Sequence, residues 1–321
     1  MKLEDIGFYT LSNDRTKNAS VTSQLMRCEL ILTDKCNFKC PYCRGLKSDI
    51  KGTMPYDEAK EVVRLWSIDN LKNIRFSGGE PTIYPRIREL VRHAKQSGIE
   101  RIAMSTNGSA DIEFYKLLIQ DGVNDFSISL DACCSSYGEL LSGVKNSWEK
   151  VSNNIKELSK LTYVTVGIVI TEETFSDLVN TVNYADSLGV HDIRIIPSAQ
   201  FNKFLDFAKE IDEDLLNKYP ILKYRVQNII KGRHVRGINS TDSRRCGLAL
   251  DDMVVAGNYH FPCVIYMREQ GDPIGKIGPN MRQERLEWMK THDTLLDSIC
   301  SKNCLDVCID YNNQFNNCNK I

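Results

Sequence analysis

The sequence has no run of about 18 apolar residues, which excludes a membrane-spanning helix of ordinary length. Its first thirty residues carry polar and charged side chains throughout, so no signal peptide is expected. There is no excess of charge either: 41 Lys and Arg stand against 42 Asp and Glu, for a formal net charge of −1. That balance argues against a strongly basic nucleic-acid surface and against an acidic tail. Low-complexity segments are absent, and so is any repeat beyond an alternation of strands and helices. From these absences a cytoplasmic protein is expected, with no membrane partner and no nucleic-acid partner expected. At 321 residues, 42% hydrophobic and 26% charged, the chain suits one large domain plus a smaller one.

Cysteine is what the sequence has in plenty. Twelve in a chain without a secretion signal point to metal or catalytic use rather than disulfides. They fall into three groups: Cys28, Cys36, Cys40 and Cys43; Cys133 and Cys134; then Cys246, Cys263, Cys300, Cys304, Cys308 and Cys318. The long cysteine-poor middle is what two separate metal sites would leave.

Between residues 26 and 200 the patterning alternates between strand and helix about six times. Expected strands are Met26–Leu32, Asn73–Phe76, Arg101–Met104, Asn124–Leu130, Tyr163–Ile170 and His191–Ile196. Helical spacing falls at Pro55–Ile68, Pro85–Ser97, Asp111–Gln120, Trp148–Leu161 and Thr174–Leu188. Such alternation implies an α/β fold with a parallel sheet, its functional residues beyond the carboxyl ends of the strands. Residues 1–25 read as an irregular arm or short hairpin, with turn formers at Asn13-Asp14, Asn18 and Ser20. Residues 201–245 read as a helical connector, with helices at Phe204–Ile211, Asp212–Asn217 and Ile221–Ile230 and an interruption at Pro220. Residues 246–321 read as a cysteine-rich α+β extension containing a hairpin with a Gly257-Asn258 turn.

The chemistry is concentrated in Cys36-Asn37-Phe38-Lys39-Cys40-Pro41-Tyr42-Cys43, which follows the first strand. Three closely spaced thiolates cannot all pair with one another, but they can converge on one metal cluster. Phe38, Pro41 and Tyr42 are placed to shield it from water. A zinc site or three unrelated buried cysteines are the plain alternatives. The stretch resembles the C-x3-C-x-aromatic-C signature of the radical S-adenosylmethionine (SAM) enzymes. Gly78-Gly79-Glu80-Pro81, after the second strand, resembles that family's second signature.

The resemblance implies a partial (β/α)6 barrel of the TIM type over residues 26–200. It implies a [4Fe–4S] cluster on Cys36, Cys40 and Cys43 whose open iron chelates SAM. SAM contacts are then carried to Tyr42, Gly78, Gly79, Glu80, Ser105, Asn107, Ser129, Asp131 and Ile168. Reductive cleavage of SAM to a 5′-deoxyadenosyl radical and hydrogen abstraction from a substrate follow, with a reducing partner such as flavodoxin or ferredoxin. Cys133 and Cys134, just past Asp131, are candidate catalytic hydrogen-atom donors or metal ligands, weighed against a plain buried pair.

The C-terminal cysteines are similar to the SPASM or Twitch extensions that carry an auxiliary [4Fe–4S] cluster, although the full seven-cysteine SPASM pattern is absent. The expected ligands are Cys246, Cys263 and two or more of Cys300, Cys304 and Cys308, with a structural zinc as the alternative. None of the five histidines shows ligand spacing with another. The substrate reading leans to peptide modification by crosslinking, epimerisation or oxidation. The alternatives are a small-molecule or nucleotide dehydrogenase or cyclase, then RNA modification, then a non-catalytic iron–sulfur or zinc binding module.

Overall fold

The first apolar run becomes β1 (Arg27–Ile31), buried at every position but Arg27. The computed structural model describes residues 15–47, 50 and 52–319. Most of the expected N-terminal arm, including the Asn13-Asp14 turn, therefore lies outside the described residues. After β1 come α1 (Tyr56–Ile68), β2 (Asn73–Ser77) and α2 (Ile87–Gln96). The buried residues of α1 are Ala59, Val62, Val63 and Trp66, and those of α2 are Ile87, Leu90, Val91 and Ala94. Both sets follow the spacing of one helical stripe, and each large apolar side chain sealed this way contributes roughly 1.5–3 kcal/mol.

The middle of the chain supplies β3 (Arg101–Thr106), α3 (Ile112–Asp121), β4 (Asp125–Ser129), α4 (Ser135–Ser142), α5 (Ser147–Leu158), β5 (Tyr163–Ile170), α6 (Leu178–Ser187) and β6 (Asp192–Pro197). Two helices, α7 (Glu213–Lys218) and α8 (Pro220–Ile230), follow. The interruption expected at Pro220 separates α7 from α8, with Pro220 itself in the first turn of α8, where a missing N–H costs nothing. Phe204–Ile211 was expected to be helical and is a tight 3-10 segment over Asp206–Glu210 only.

The last stretch carries β7 (Asp252–Ala256), β8 (Tyr259–Phe261), α9 (Val264–Arg268), β9 (Gly275–Lys276), α10 (Met281–Thr291), α11 (Cys300–Asn303) and α12 (Asp306–Asn319). No described helix is long and apolar enough to cross a membrane.

The chain forms two compact units. The first comprises the residues up to Lys35, Arg44–Ile102 and Arg236 onward; the second comprises Cys36–Cys43 and Ala103–Val235. In the first unit β1 lies between β2 and β7, parallel to both. The expected hairpin is present as β7 and β8, antiparallel, with β9 added antiparallel to β8. Its first strand thus extends the parallel sheet, which hydrophobic patterning alone does not specify. In the second unit β3, β4, β5 and β6 pair in order, all parallel. The fold is mixed α/β with a parallel sheet that does not close into a full barrel.

Register in the second unit sorts the side chains by face. Ser105 stands opposite Ser127, which stands opposite Thr165, while Ser129 stands opposite Gly167, which stands opposite Arg194. Because side chains alternate along a strand, these residues share one polar face. The other face holds Met104, Phe126, Ile128, Val166, Ile168 and Ile195, all completely buried.

Candidate functional site

The three cysteines of the first motif occupy the short loop that belongs to the second unit. Cys36 and Cys43 are exposed and Cys40 is partly so. Burial, offset in part by a hydrogen bond from Tyr42, pushes the Cys40 thiol up to about 12, and the charges of Cys43 and Cys36 add to it. Cys28 is no fourth ligand: it is sealed inside β1, beside Asp252 and Arg285.

Donors surround the loop. The Phe38 amide donates to Cys36 Sγ at 3.4 Å, and Asn107 Nδ2 approaches the same sulfur at 3.8 Å. Asn107 also donates to Asn37 Oδ1 at 2.8 Å, and Asn37 donates to Ser109 Oγ at 2.8 Å. The end of β3 thus holds the loop by its first cysteine. The Tyr42 hydroxyl donates to Asp131, whose other oxygen accepts from the Val169 amide at 2.7 Å. Burial outweighs both hydrogen bonds and raises the Asp131 carboxyl to about 6. Gln200 Nε2 donates to the Tyr42 carbonyl at 3.1 Å. Gln200, Asn37 and Ser109 lie outside the signatures, and nothing in their spacing marks them.

The remaining expected cofactor contacts of this unit divide by face. Ser105 is partly exposed and Ser129 exposed, both on the polar face of the sheet. Ile168 lies on the opposite face and is completely buried, so only its backbone is left for a ligand. Arg194, missing from the expected contacts, donates to Ser127 Oγ at 3.4 Å. A Cβ on Gly167 would meet its Nη2 at 3.2 Å, so the absence of a side chain there seats the guanidinium. Cys134 caps the start of α4 and its thiol is lowered by hydrogen bonds from Ser136 and the Tyr137 amide. Burial raises the thiol of Cys133. The two are chemically unequal.

In the first unit the Gly78-Gly79-Glu80 turn packs on Thr33–Lys35, the residues that precede Cys36. Gly79 donates to the Thr33 carbonyl at 2.6 Å and Glu80 to the Lys35 carbonyl at 2.9 Å. A Cβ on Gly79 would lie 2.2 Å from the Lys35 oxygen, and one on Gly78 2.4 Å from the Thr33 oxygen. Both obstacles are backbone. Gly78 also has φ of 144°, which disfavours any side chain. Glu80 is fully buried, and its Oε1 accepts from the amide and hydroxyl of Thr82 at 3.0 and 2.6 Å. Arg268 bridges the Gly78 carbonyl at 2.7 Å and the Gly45 carbonyl at 3.0 Å, tying the turn to the chain just past Cys43. Gly79→Ala is expected to lower stability by roughly 2 kcal/mol or more, because the turn must move off Lys35. Thermal melts check this.

The C-terminal cysteines gather in the same unit. Burial is the main reason Cys246 rises to about 11 and Cys263 and Cys300 rise further; at Cys304 the main reason is its hydrogen bond with Cys308. The charges of nearby cysteines reinforce each shift, and Cys304 and Cys308 are hydrogen-bonded to each other. Asn312 Nδ2 donates to Cys246 Sγ at 3.6 Å and the Tyr266 amide to Cys263 Sγ at 3.4 Å, contacts that suit metal-bound thiolates. Cys318 is exposed on the last turns of α12. A tetrahedral zinc with bonds of about 2.3 Å needs sulfurs roughly 3.8 Å apart. Among the described residues no three cysteine sulfurs lie within 4.8 Å of one another. One unexpected group does close: His292, Asp297 and Cys300 bring their ligand atoms within 4.8 Å of one another.

Comparison with known proteins adds to this geometry. The family described as the radical SAM superfamily matches residues 30–185. A "Probable GTP 3′,8-cyclase" of Sulfurisphaera tokodaii is 28% identical over 64% of this chain and 66% of its own length. A GTP 3′,8-cyclase of Clostridium botulinum is 27% identical over 59% and 62%. The chain thus spans a little under two thirds of the length of these relatives. Among solved structures, native anSMEcpe with bound AdoMet and the Kp18Cys peptide superposes with a TM-score of 0.62, 18% identity and coverage of 91% of this chain and 96% of that one. Streptococcus suis SuiB bound to its precursor peptide SuiA gives a TM-score of 0.58 at 14% identity, over 86% and 66%.

Proposed function

We propose, from the match of the radical SAM superfamily to residues 30–185, that the chain is an enzyme performing SAM-dependent radical chemistry on a small anionic molecule. The observation that carries the first part is the cysteine loop: three cysteines on one short segment, two of them exposed, with Cys28 sealed inside β1 and so no fourth ligand from that strand. A [4Fe–4S] cluster and SAM, bound there, supply on one-electron reduction a 5′-deoxyadenosyl radical that takes a hydrogen atom.

The chain's own residues do the rest. Cys36, Cys40 and Cys43 hold the cluster, and the donors from Phe38 and Asn107 stabilise charge on the Cys36 sulfur. Asp131, held by Tyr42 and the Val169 amide, presents a positioned acceptor for SAM hydroxyls. Cys246, Cys263, Cys304 and Cys308 would hold a second, fully ligated cluster, which would supply one-electron transfer. Electrons come from a small reducing protein of the flavodoxin or ferredoxin kind.

The substrate class rests on two supports. The curated relatives are named as cyclases of GTP, and the polar sheet face presents Arg194 among Ser105, Ser127 and Ser129. A guanidinium in such a setting recognises carboxylate or phosphate. The test is an anaerobic assay of reconstituted protein with dithionite, SAM and a panel of nucleoside triphosphates or short cysteine-containing peptides. Nucleotides are expected to raise 5′-deoxyadenosine formation above the substrate-free rate. Stimulation by peptides alone would sink the nucleotide reading and leave peptide modification, the class to which the sequence resemblance leans. Arg194→Ala is expected to raise KM for the anionic substrate roughly ten- to hundredfold, the worth of about 1.5–3 kcal/mol in one charged hydrogen bond, with little change in kcat.

A further inference from the structure

We propose that His292, Asp297 and Cys300 hold a mononuclear divalent metal ion of the zinc class, separate from the cluster carried by the other C-terminal cysteines. His292 Nε2 lies 3.6 Å from Asp297 Oδ2 and 3.8 Å from Cys300 Sγ. One tetrahedral zinc with Zn–N, Zn–O and Zn–S bonds of roughly 2.0–2.3 Å requires ligand separations of about 3.3–3.8 Å. The two distances fall in that range, and the three ligand atoms all lie within 4.8 Å of one another. A relay of the Cys–His–Asp kind would place the carboxylate at the second imidazole nitrogen; here both partners approach Nε2.

The ligands are pre-set by their surroundings. The His292 ring stacks on Trp288 at 4.1 Å and meets Tyr266 edge-on at 5.8 Å. Asp297 Oδ1 accepts from the amides of Ile299 and Cys300 at 2.9 and 2.7 Å, which fixes the turn into α11 and leaves Oδ2 for the metal. The Tyr266 hydroxyl donates to that Oδ2 at 3.2 Å, the outer hydrogen bond that metal-bound carboxylates ordinarily have. Charge also balances: one thiolate, one carboxylate and a neutral imidazole around a dication sum to zero, which suits side chains that are 17% exposed at both His292 and Asp297. Three protein ligands leave a fourth position for water or a substrate donor. The assignment rests on the proposed function only in leaving four cysteines for the second cluster.

The experiment measures zinc and iron together in the full-length, anaerobically reconstituted protein after titration with zinc(II), alongside zinc X-ray absorption. One zinc per chain is expected, with one sulfur and otherwise nitrogen and oxygen neighbours. His292→Ala and the more conservative Asp297→Asn, which keeps the Oδ1 acceptor of the turn, should each cut bound zinc at least tenfold with iron unchanged. Cys246→Ala should lower iron and spare zinc. Loss of iron in the His292 or Asp297 variants, an all-sulfur zinc shell, or wild-type protein that binds no zinc overturns the assignment. Failure of the second-cluster reading shows separately, as low wild-type iron with zinc retained.

Discussion

Replacing Cys36, Cys40 and Cys43 together by alanine is expected to lower bound iron from about eight to about four per chain, the difference of one [4Fe–4S] cluster. SAM cleavage should fall to background in the same protein. The size of the effect follows from the loop's construction. All three thiols belong to one short segment, and no cysteine from β1 is available to substitute. The fold should survive the change, because Cys36 and Cys43 are exposed and Cys40 partly so. The loop is also held independently of its sulfurs, through the Asn37–Asn107 and Asn37–Ser109 hydrogen bonds and the Lys39 amide on the Ser142 carbonyl at 2.8 Å. Unchanged circular dichroism and melting temperature with half the iron would therefore isolate the site. Iron falling from about four to none would mean that the C-terminal cysteines carry no cluster, and the second-cluster mechanism would fail with it.

That experiment addresses the part of the site that was most legible in the sequence, and legibility here follows range. The cysteine loop and the Gly78–Glu80 turn are each written in consecutive residues, so spacing alone exposes them. Strand β5 is equally plain, since Val164, Val166, Ile168 and Ile170 alternate with the other face and its bounds fall where the β-branched run predicts. What the sequence hid depends on pairing across long separations. The parallel register of β7 against β1 joins Arg27 to Asp252, and no local pattern reports it. Face assignment needs the same knowledge: Ile168 and Gly167 are neighbours in the chain, yet register puts Arg194 over Gly167 and leaves Ile168 in the core. The His292–Asp297–Cys300 group escaped because it spans the end of α10 and the start of α11, where no periodicity links a histidine to a cysteine.

Arg285→Met is expected to cost on the order of 4 kcal/mol of stability and to strip iron from the C-terminal cysteines, while Arg285→Lys recovers only part of either. The residue is 1% exposed, and it donates to four carbonyls: Ala249 at 2.6 Å, Asp252 at 2.5 Å, Phe261 at 2.7 Å and Pro262 at 3.2 Å. Ala249 lies three residues past Cys246, and Pro262 immediately precedes Cys263. The guanidinium therefore joins the two ends of the segment that carries these ligands. Methionine fills much of the volume but leaves the carbonyls buried without donors, each costing about 1–3 kcal/mol. Lysine restores the charge as a compact point with three donors and cannot span the fork that an arginine plane covers. The charge has a second role beside the fold, since Arg285 favours the ionised thiolate at Cys246. A variant with lowered denaturation midpoint but full iron would make Arg285 a purely structural clamp. Loss of iron from a protein that still melts cooperatively would make it the residue that sets the second cluster's ligands in place.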